Sequence, residues 1–204
     1  MERRTDEELV AAHAAGESRA FDELVRRYAG PLFAFLARFV GQGATAEDLV
    51  QESLLQVHSS SATFDRERRF RPWIYTIAAN KARDYLRSRV RRTEQSLDDG
   101  AADAEGAQPI DRISAAGPAA DERLIASETS DRVRRVVGRM PEHLREILLL
   151  GYYQQMPYAE IAEVLAIPVG TVKSRLHSAV QQFSRLWEEQ ETAVERDSRR
   201  KRQG

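Results

Sequence analysis

The sequence predicts an all-α chain of two small helical domains joined by a flexible acidic linker. Three observations lead there. Apolar residues recur three and four apart through both halves, the period of one buried helix face. No stretch alternates apolar and polar residues over the length of a strand, and no internal repeat is visible. Between the halves, residues 93–120 are rich in Ala, Asp and Gly, carry Pro109 and Pro118 and keep no sustained period. Such a segment buries too little apolar surface to fold on its own.

Thr5 followed by Glu8 is a capping-box start, and the short helix it opens ends at Gly16. A second helix has Phe21, Leu24, Val25 and Tyr28 along one face. Gly30 and Pro31 are expected to close it and to open a third through Leu32, Phe33, Leu36, Phe39 and Val40. Residues 41–44 read as a loop. Thr45 can cap the next helix, which places Leu49, Val50, Ser53, Leu54 and Val57 on one side. Residues 59–71 again read as a loop.

From Trp73 the helical period returns, with Ile74, Ile77, Ala78, Ala82, Tyr85 and Leu86 on the same face. The opposite side carries Thr76, Asn80, Arg83, Arg87 and Arg91, and residues 1–92 are read as the first domain. Residues 93–120 are the linker. The second domain, residues 121–190, resumes with Leu124, Ile125, Val133, Val136 and Val137, then Leu144, Ile147, Leu148 and Leu150 after Pro141. Pro157 opens a short helix and Pro168 precedes a longer one through Val172, Leu176, Val180, Phe183 and Leu186. Glu188 onward is charged and expected to fray, leaving residues 191–204 as a tail.

Composition removes several function classes. With no cysteine among 204 residues, disulfides, thiolate metal sites and a cysteine nucleophile are excluded. His13, His58, His143 and His177 are too dispersed for a metal-binding pair, so no metal site and no cofactor are expected. No apolar run reaches the roughly 18 residues of a membrane span, and the charged first residues are unlike a signal peptide. A cytoplasmic protein without membrane insertion is expected. The net charge of −1 conceals an uneven distribution. Ten Lys and Arg face two acidic residues between Arg66 and Arg92, and eight Asp and Glu face Arg112 alone between Thr93 and Glu122. A local concentration of cations of that kind attracts nucleic acid whatever the total charge.

Residues 158–176 read YAEIAEVLAIPVGTVKSRL. Two short amphipathic helices, a small residue at their crossing in Ala162 and a three-to-four-residue turn meet the requirements of a helix-turn-helix. The second helix turns Thr171, Lys173, Ser174, Arg175 and His177 away from its apolar face, as a helix entering a major groove must. Ala166 stands where many such turns have Gly, and it strains the turn slightly because Gly reaches positive φ at less cost. The basic segment offers a second kind of contact. Arg66, Arg68, Arg69 and Arg71, followed by Asn80, Lys81, Arg83 and Arg87, supply donors for phosphates and base edges, and Trp73, Phe64 and Phe70 supply faces for unstacked bases. Trp73 fits the core period equally well.

These residues carry a family resemblance. Glu160, Ile161, Ala162, Leu165, Pro168, Gly170, Thr171, Val172, Lys173, Ser174, Arg175 and Leu176 resemble the C-terminal promoter-reading domain of bacterial sigma factors. Residues 46–54, AEDLVQESL, look like the sigma helix that docks on the largest subunits of RNA polymerase. Residues 70–80, FRPWIYTIAAN, with Asp84, Leu86 and Arg87, look like the promoter-melting segment. Leu54 and His58 depart from the aromatics more often found at those positions. The layout is that of the extracytoplasmic-function class. The resemblance implies a non-enzymatic initiation factor that binds core RNA polymerase through Asp48, Gln51, Glu52 and Leu55. It would read an upstream element as duplex and capture a melted downstream element as single strand. It also makes an anti-sigma protein a candidate partner. The rival reading is a helix-turn-helix regulator that binds operators by itself.

Overall fold

The computed structural model describes residues 4–65, 67–98 and 131–201, and among these every regular element is helical. None of the described helices is long and apolar enough to cross a membrane. Helix α1 (Asp6–Ala14) has the expected capping box: the Glu8 N–H donates to Thr5 Oγ1 at 3.2 Å and the Thr5 N–H to Glu8 Oε2 at 2.8 Å. Leu9 and Val10 are buried.

Helix α2 (Ser18–Val40) runs unbroken through Pro31, which corrects the expected break. Proline removes one intrahelical bond and crowds the preceding turn, costing about 3 kcal/mol. Leu24, Tyr28, Leu32, Phe35, Leu36 and Phe39 are buried in phase on both sides of it. Burial of one such side chain contributes roughly 2 kcal/mol, so the stripe outweighs the defect. Gly41, at φ 82°, then ends the helix in the left-handed region.

Helix α3 (Gly43–Ser60) starts before Thr45, so the predicted cap is not one. The Thr45 hydroxyl donates to Gln42 Oε1 at 3.0 Å, and the same oxygen accepts from the Tyr85 hydroxyl at 3.0 Å. Through Gln42 the turn between α2 and α3 is tied to the next long helix. A 3-10 turn (Ser61–Thr63) follows. Helix α4 (Phe70–Asp98) begins three residues before Trp73 and extends past Arg92, beyond the bounds expected for the first domain. Pro72 falls in its first turn, where its missing N–H has no intrahelical partner to lose. Glu7 Oε1 accepts from the Phe70 N–H at 2.8 Å, so α1 caps α4.

The remainder of the linker and the signals at Leu124 and Ile125 lie outside the described residues. The second unit comprises α5 (131–139), α6 (Glu142–Leu148), a π-helical turn (Leu149–Tyr153), α7 (Tyr158–Leu165) and α8 (Val169–Lys201). Helix α8 does not fray at Glu188. Arg132 of α5 lies over the Trp187 ring at 3.8 Å and pairs with Glu191 at 2.8 Å, and Arg139 pairs with Glu189 at 3.0 Å. Those contacts hold the charged stretch against α5.

The two units also touch directly, through α4 against α7 and α2 against the π turn. Tyr75, fully buried, packs edge-on to Phe35 and donates its hydroxyl to Gln154 Oε1. Arg145 Nη1 donates to the Phe39 carbonyl at 2.8 Å, and the Arg38 guanidinium lies 4.6 Å from the Tyr153 ring centre.

Ala166 caps α7 at φ 51° and ψ 46°, the left-handed conformation the sequence foreshadowed. The residue is exposed, so replacing it with glycine forfeits no packing. Relief of the left-handed strain exceeds glycine's extra chain entropy. Ala166→Gly should stabilise the second unit by up to about 1 kcal/mol in urea unfolding; a loss of stability would contradict this account of the turn.

Candidate nucleic-acid interface

Local chemistry sets the direction of each functional side chain in the helix-turn-helix. Ile161 and Val164 of α7 and Val172, Leu176 and Ala179 of α8 are buried together. The π turn comes close behind them: a Cβ on Gly151 would stand 3.2 Å from Leu176 Cδ1. Apolar anchoring of one face leaves Lys173, Ser174 and His177 exposed on the other, with Thr171 and Arg175 half-buried at its margin. Ser174 donates its hydroxyl to the Thr171 carbonyl at 3.1 Å, and the His177 ring lies 2.9 Å from Gln181 Nε2. Lys173 therefore stands out as a freely projecting cation of this helix.

Arg175 is drawn inward, where its charge acts on Glu146. That carboxyl is 5% exposed, and burial pushes its pKa up to about 7. The Arg83 and Arg175 charges oppose the shift and Glu142 adds to it.

The second surface is α4 with the segment before it. Arg68, Asn80 and Arg87 are exposed, and Arg66 lies outside the described residues. Asn80 Oδ1 accepts from Arg83 Nη2 at 2.8 Å, and Arg87 pairs with Asp84 at 3.0 Å. Trp73 is half-buried, tilted against Phe64 with ring centres 4.7 Å apart and edge-on to Phe70 at 5.8 Å. Trp73 packs at the edge of the core, and with Phe64, Asp65 and Arg68 it lines a recess of about 270 Å³. Gln56, Ser60 and Thr63 supply polar groups to the same recess.

Not all the predicted cations gather there. Lys81 turns towards α3 and pairs with Glu52 at 3.2 Å. Arg69, Arg71 and Arg83 reach towards the second unit, where Glu160 and Glu146 meet them. Tyr75, Gln154, Glu146 and Glu160 escaped the sequence reading as functional candidates. The available signal was an acidic residue placed inside an apolar helix face, as at Glu146 beside Ile147 and Leu148.

A third surface is the outer side of α3. Ala46, Leu49, Val50, Ser53 and Val57 are buried, while Asp48, Gln51, Glu52 and Leu55 are exposed together. Leu55 is 66% exposed, an apolar side chain in an acidic and amide setting. Such a patch suits a basic partner with an apolar centre.

Two family models match the chain: Sigma-70 region 2 over residues 24–92 and Sigma-70, region 4 over residues 130–183. The chain is 32% identical to the ECF RNA polymerase sigma factor SigW of Bacillus subtilis, covering 79% of this chain and 86% of that protein. It is 33% identical to the RNA polymerase sigma-H factor of Pseudomonas aeruginosa, covering 85% and 89%. Among solved structures, CnrH in complex with the cytosolic domain of CnrY aligns over 91% of this chain and 99% of that one, with TM-score 0.64 and 26% identity. The sigma factor RpoE of Bartonella quintana, solved with the anti-sigma factor NepR, shares the fold at TM-score 0.67 and 21% identity.

The raised Glu146 pKa has a consequence for stability. The folded chain holds this proton more tightly than an unfolded chain would, whose carboxyl titrates near 4.5. The associated stability is fully present below that value and is lost as pH rises through about 7. Between pH 5.5 and 8 the loss should be on the order of 2 kcal/mol. Glu146→Gln should flatten that part of the profile; parallel urea midpoints for the two chains across this range would rule the account out.

Proposed function

Because the chain belongs to the sigma-70 family, in its extracytoplasmic-function class, and directs RNA polymerase to promoters, we propose how its residues divide that task. The exposed patch of Asp48, Gln51, Glu52 and Leu55 docks on core polymerase. Thr171, Lys173, Ser174, Arg175 and His177 meet the upstream promoter element as duplex. Arg66, Arg68, Arg69, Arg71, Trp73, Asn80, Lys81, Arg83 and Arg87 take the downstream element as it opens. Residues 1–92 and 121–190 serve as the two working domains, with residues 93–120 spanning them and 191–204 as the tail. The family alone supports an anti-sigma protein as a further partner.

The observation that carries the melting assignment is the recess beside Trp73. Strand opening is stabilised when an unstacked base finds an aromatic face and its phosphate finds a cation. Trp73 and Phe64 offer the first and Arg68 the second, around one cavity. The free energy for separating the strands then comes from binding the opened strand, and the chain is assigned no reaction of its own. Lys81, through its pair with Glu52, also links the docking helix to α4.

Duplex reading has its own energetics. An exposed lysine on a groove-facing helix meets phosphate as a point charge. Arg175 is placed both to reach the groove margin and to offset the burial of Glu146. Lys173→Ala should therefore reduce the salt dependence of binding to an upstream-element duplex by about one unit of slope, with sequence preference intact. Arg175→Ala should weaken binding and lower the unfolding midpoint as well. Unchanged promoter binding in both would remove α8 as the reading helix.

The polymerase-dependent step separates this function from that of a regulator acting alone. With core polymerase and a cognate promoter, thymines in the downstream element should become reactive to permanganate. Trp73→Ala and Asn80→Ala should reduce that reactivity at least tenfold, a loss of about 1.4 kcal/mol, while upstream binding is retained. Tight duplex binding by the chain alone, with no reactive thymines when polymerase is added, would favour the operator-binding regulator.

A further inference from the structure

The recess that the proposed function gives to an unstacked base has walls from two parts of the chain. Trp73 and Ile77 of α4 form one, and Gln56 and Ser60 of α3 with Thr63 of the 3-10 turn form the other. Phe64, Asp65 and Arg68 lie on the segment that joins them. Helix α1 packs against the 3-10 turn and against α4, and so contacts both walls. Sigma-70 region 2 matches from residue 24 onward, which leaves α1 outside the matched residues.

The first turn of α1 holds α4. Phe70 opens that helix, so its N–H has no intrahelical partner. Arg69, in the capping position, has no side-chain acceptor to offer. Glu7 supplies one from 63 residues away, accepting at 2.8 Å, and its carboxylate suits the positive end of the α4 dipole. Asp6 reaches the same residue by another route. It accepts from the Tyr28 hydroxyl and pairs with Arg27 at 2.6 Å, and the Tyr28 ring packs edge-on to Phe70 with centres 5.1 Å apart. Two neighbouring carboxylates therefore act on Phe70, one at its backbone and one at its ring. In the chain Phe70 stands between Arg68 and Trp73, the cation and the aromatic face of the recess. The last turn of α1 reaches the opposite wall. His13 lies 4.8 Å from His58 of α3, centre to centre, and the two rings pack on Phe21 of α2 at 4.8 and 5.2 Å.

We infer that α1 is the strut that sets this recess, and that Glu7 is a positioning residue for promoter opening: through the Phe70 N–H it holds Trp73 and Arg68 where an unstacked base and its phosphate can meet both. This rests on the assignment of the recess to the opened strand. Successive residues stand about 100° apart around a helix, so a modest rotation of α4 turns Trp73 out of the recess. Glu7 acts through Phe70 and needs no contact with DNA. Leu9 and Val10 are buried and anchor α1 apart from Glu7, so removing the carboxylate spares the fold.

Glu7→Ala removes the acceptor, whereas Glu7→Gln keeps an oxygen at the same reach without the charge. In a Trp187→Phe background Trp73 is the sole tryptophan, and its emission reports on the recess. Each full-length variant should keep its helical circular dichroism at the assay temperature. With core polymerase and a cognate promoter, Glu7→Ala should lower permanganate reactivity of the downstream thymines about fivefold, the weight of one hydrogen bond. Polymerase capture and upstream duplex binding should stay unchanged. Trp73 emission should shift to the red and be quenched more readily by acrylamide. Glu7→Gln should restore both readouts to within about twofold. Unaltered opening in Glu7→Ala would overturn the positioning role; so would lost opening with Trp73 emission unmoved, equal losses in both variants, or loss of the helical signal. If Trp73 emission follows Glu7 as expected while Trp73→Ala opens the promoter as well as the unsubstituted chain, the melting assignment fails instead, and Glu7 stands only as the support of the recess.

Discussion

Helix α4 must be buried on two flanks and still offer a third to solvent, and the arrangement of the other helices depends on that requirement. Ala78, Ala79 and Ala82 are all fully buried, and residues that small let neighbouring helices approach closely from either side. Tyr75 spans the two flanks, edge-on to Phe35 in the first unit and bonded to Gln154 in the second. Burial pushes its hydroxyl pKa up, so Tyr75 stays a donor wherever the protein works. The strip left to solvent is narrow, and Asn80, Asp84 and Arg87 occupy it.

Such a helix needs fixed ends and a fixed rotation, because turning it would exchange buried and exposed residues. Glu7 fixes the start by capping the Phe70 N–H from α1, and Gln42 holds Tyr85 further along. Both are long-range bonds to elements that precede α4 in the chain. The Phe64, Phe70, Trp73 and Tyr28 rings pack around the first turn, with centre separations from 4.7 to 6.1 Å. The first unit is thus rigid where the recess forms. The contact between units joins apolar packing around the buried Tyr75 to polar links, and some of its buried acceptors are incompletely paired.

What was legible in the sequence is what local chemistry determines. The capping box at Thr5 and Glu8, the left-handed position at Ala166 and the apolar faces of α7 and α8 each depend on neighbours within a few residues. The exposed patch on α3 was legible for the same reason, since a buried stripe fixes the opposite face. Pro31 was misread because the strength of the stripe around it depends on α3, α4 and the π turn, none of which the local pattern reveals. Thr45 was misread as a cap because Gln42 satisfies its hydroxyl and has a second partner 43 residues away. Glu160 was legible as part of a helix-turn-helix and illegible as the partner of Arg69, 91 residues earlier. Periodicity says that a side chain faces inward; it does not say what waits there.

Glu146 links α6 electrostatically to both α4 and α8. It lies within the apolar face of α6, close enough to feel the charge of Arg83 from α4 and Arg175 from α8. One buried carboxyl therefore feels cations from α4 and α8, and neither cation fully offsets its burial. With a pKa near 7, its charge depends on which of them is present.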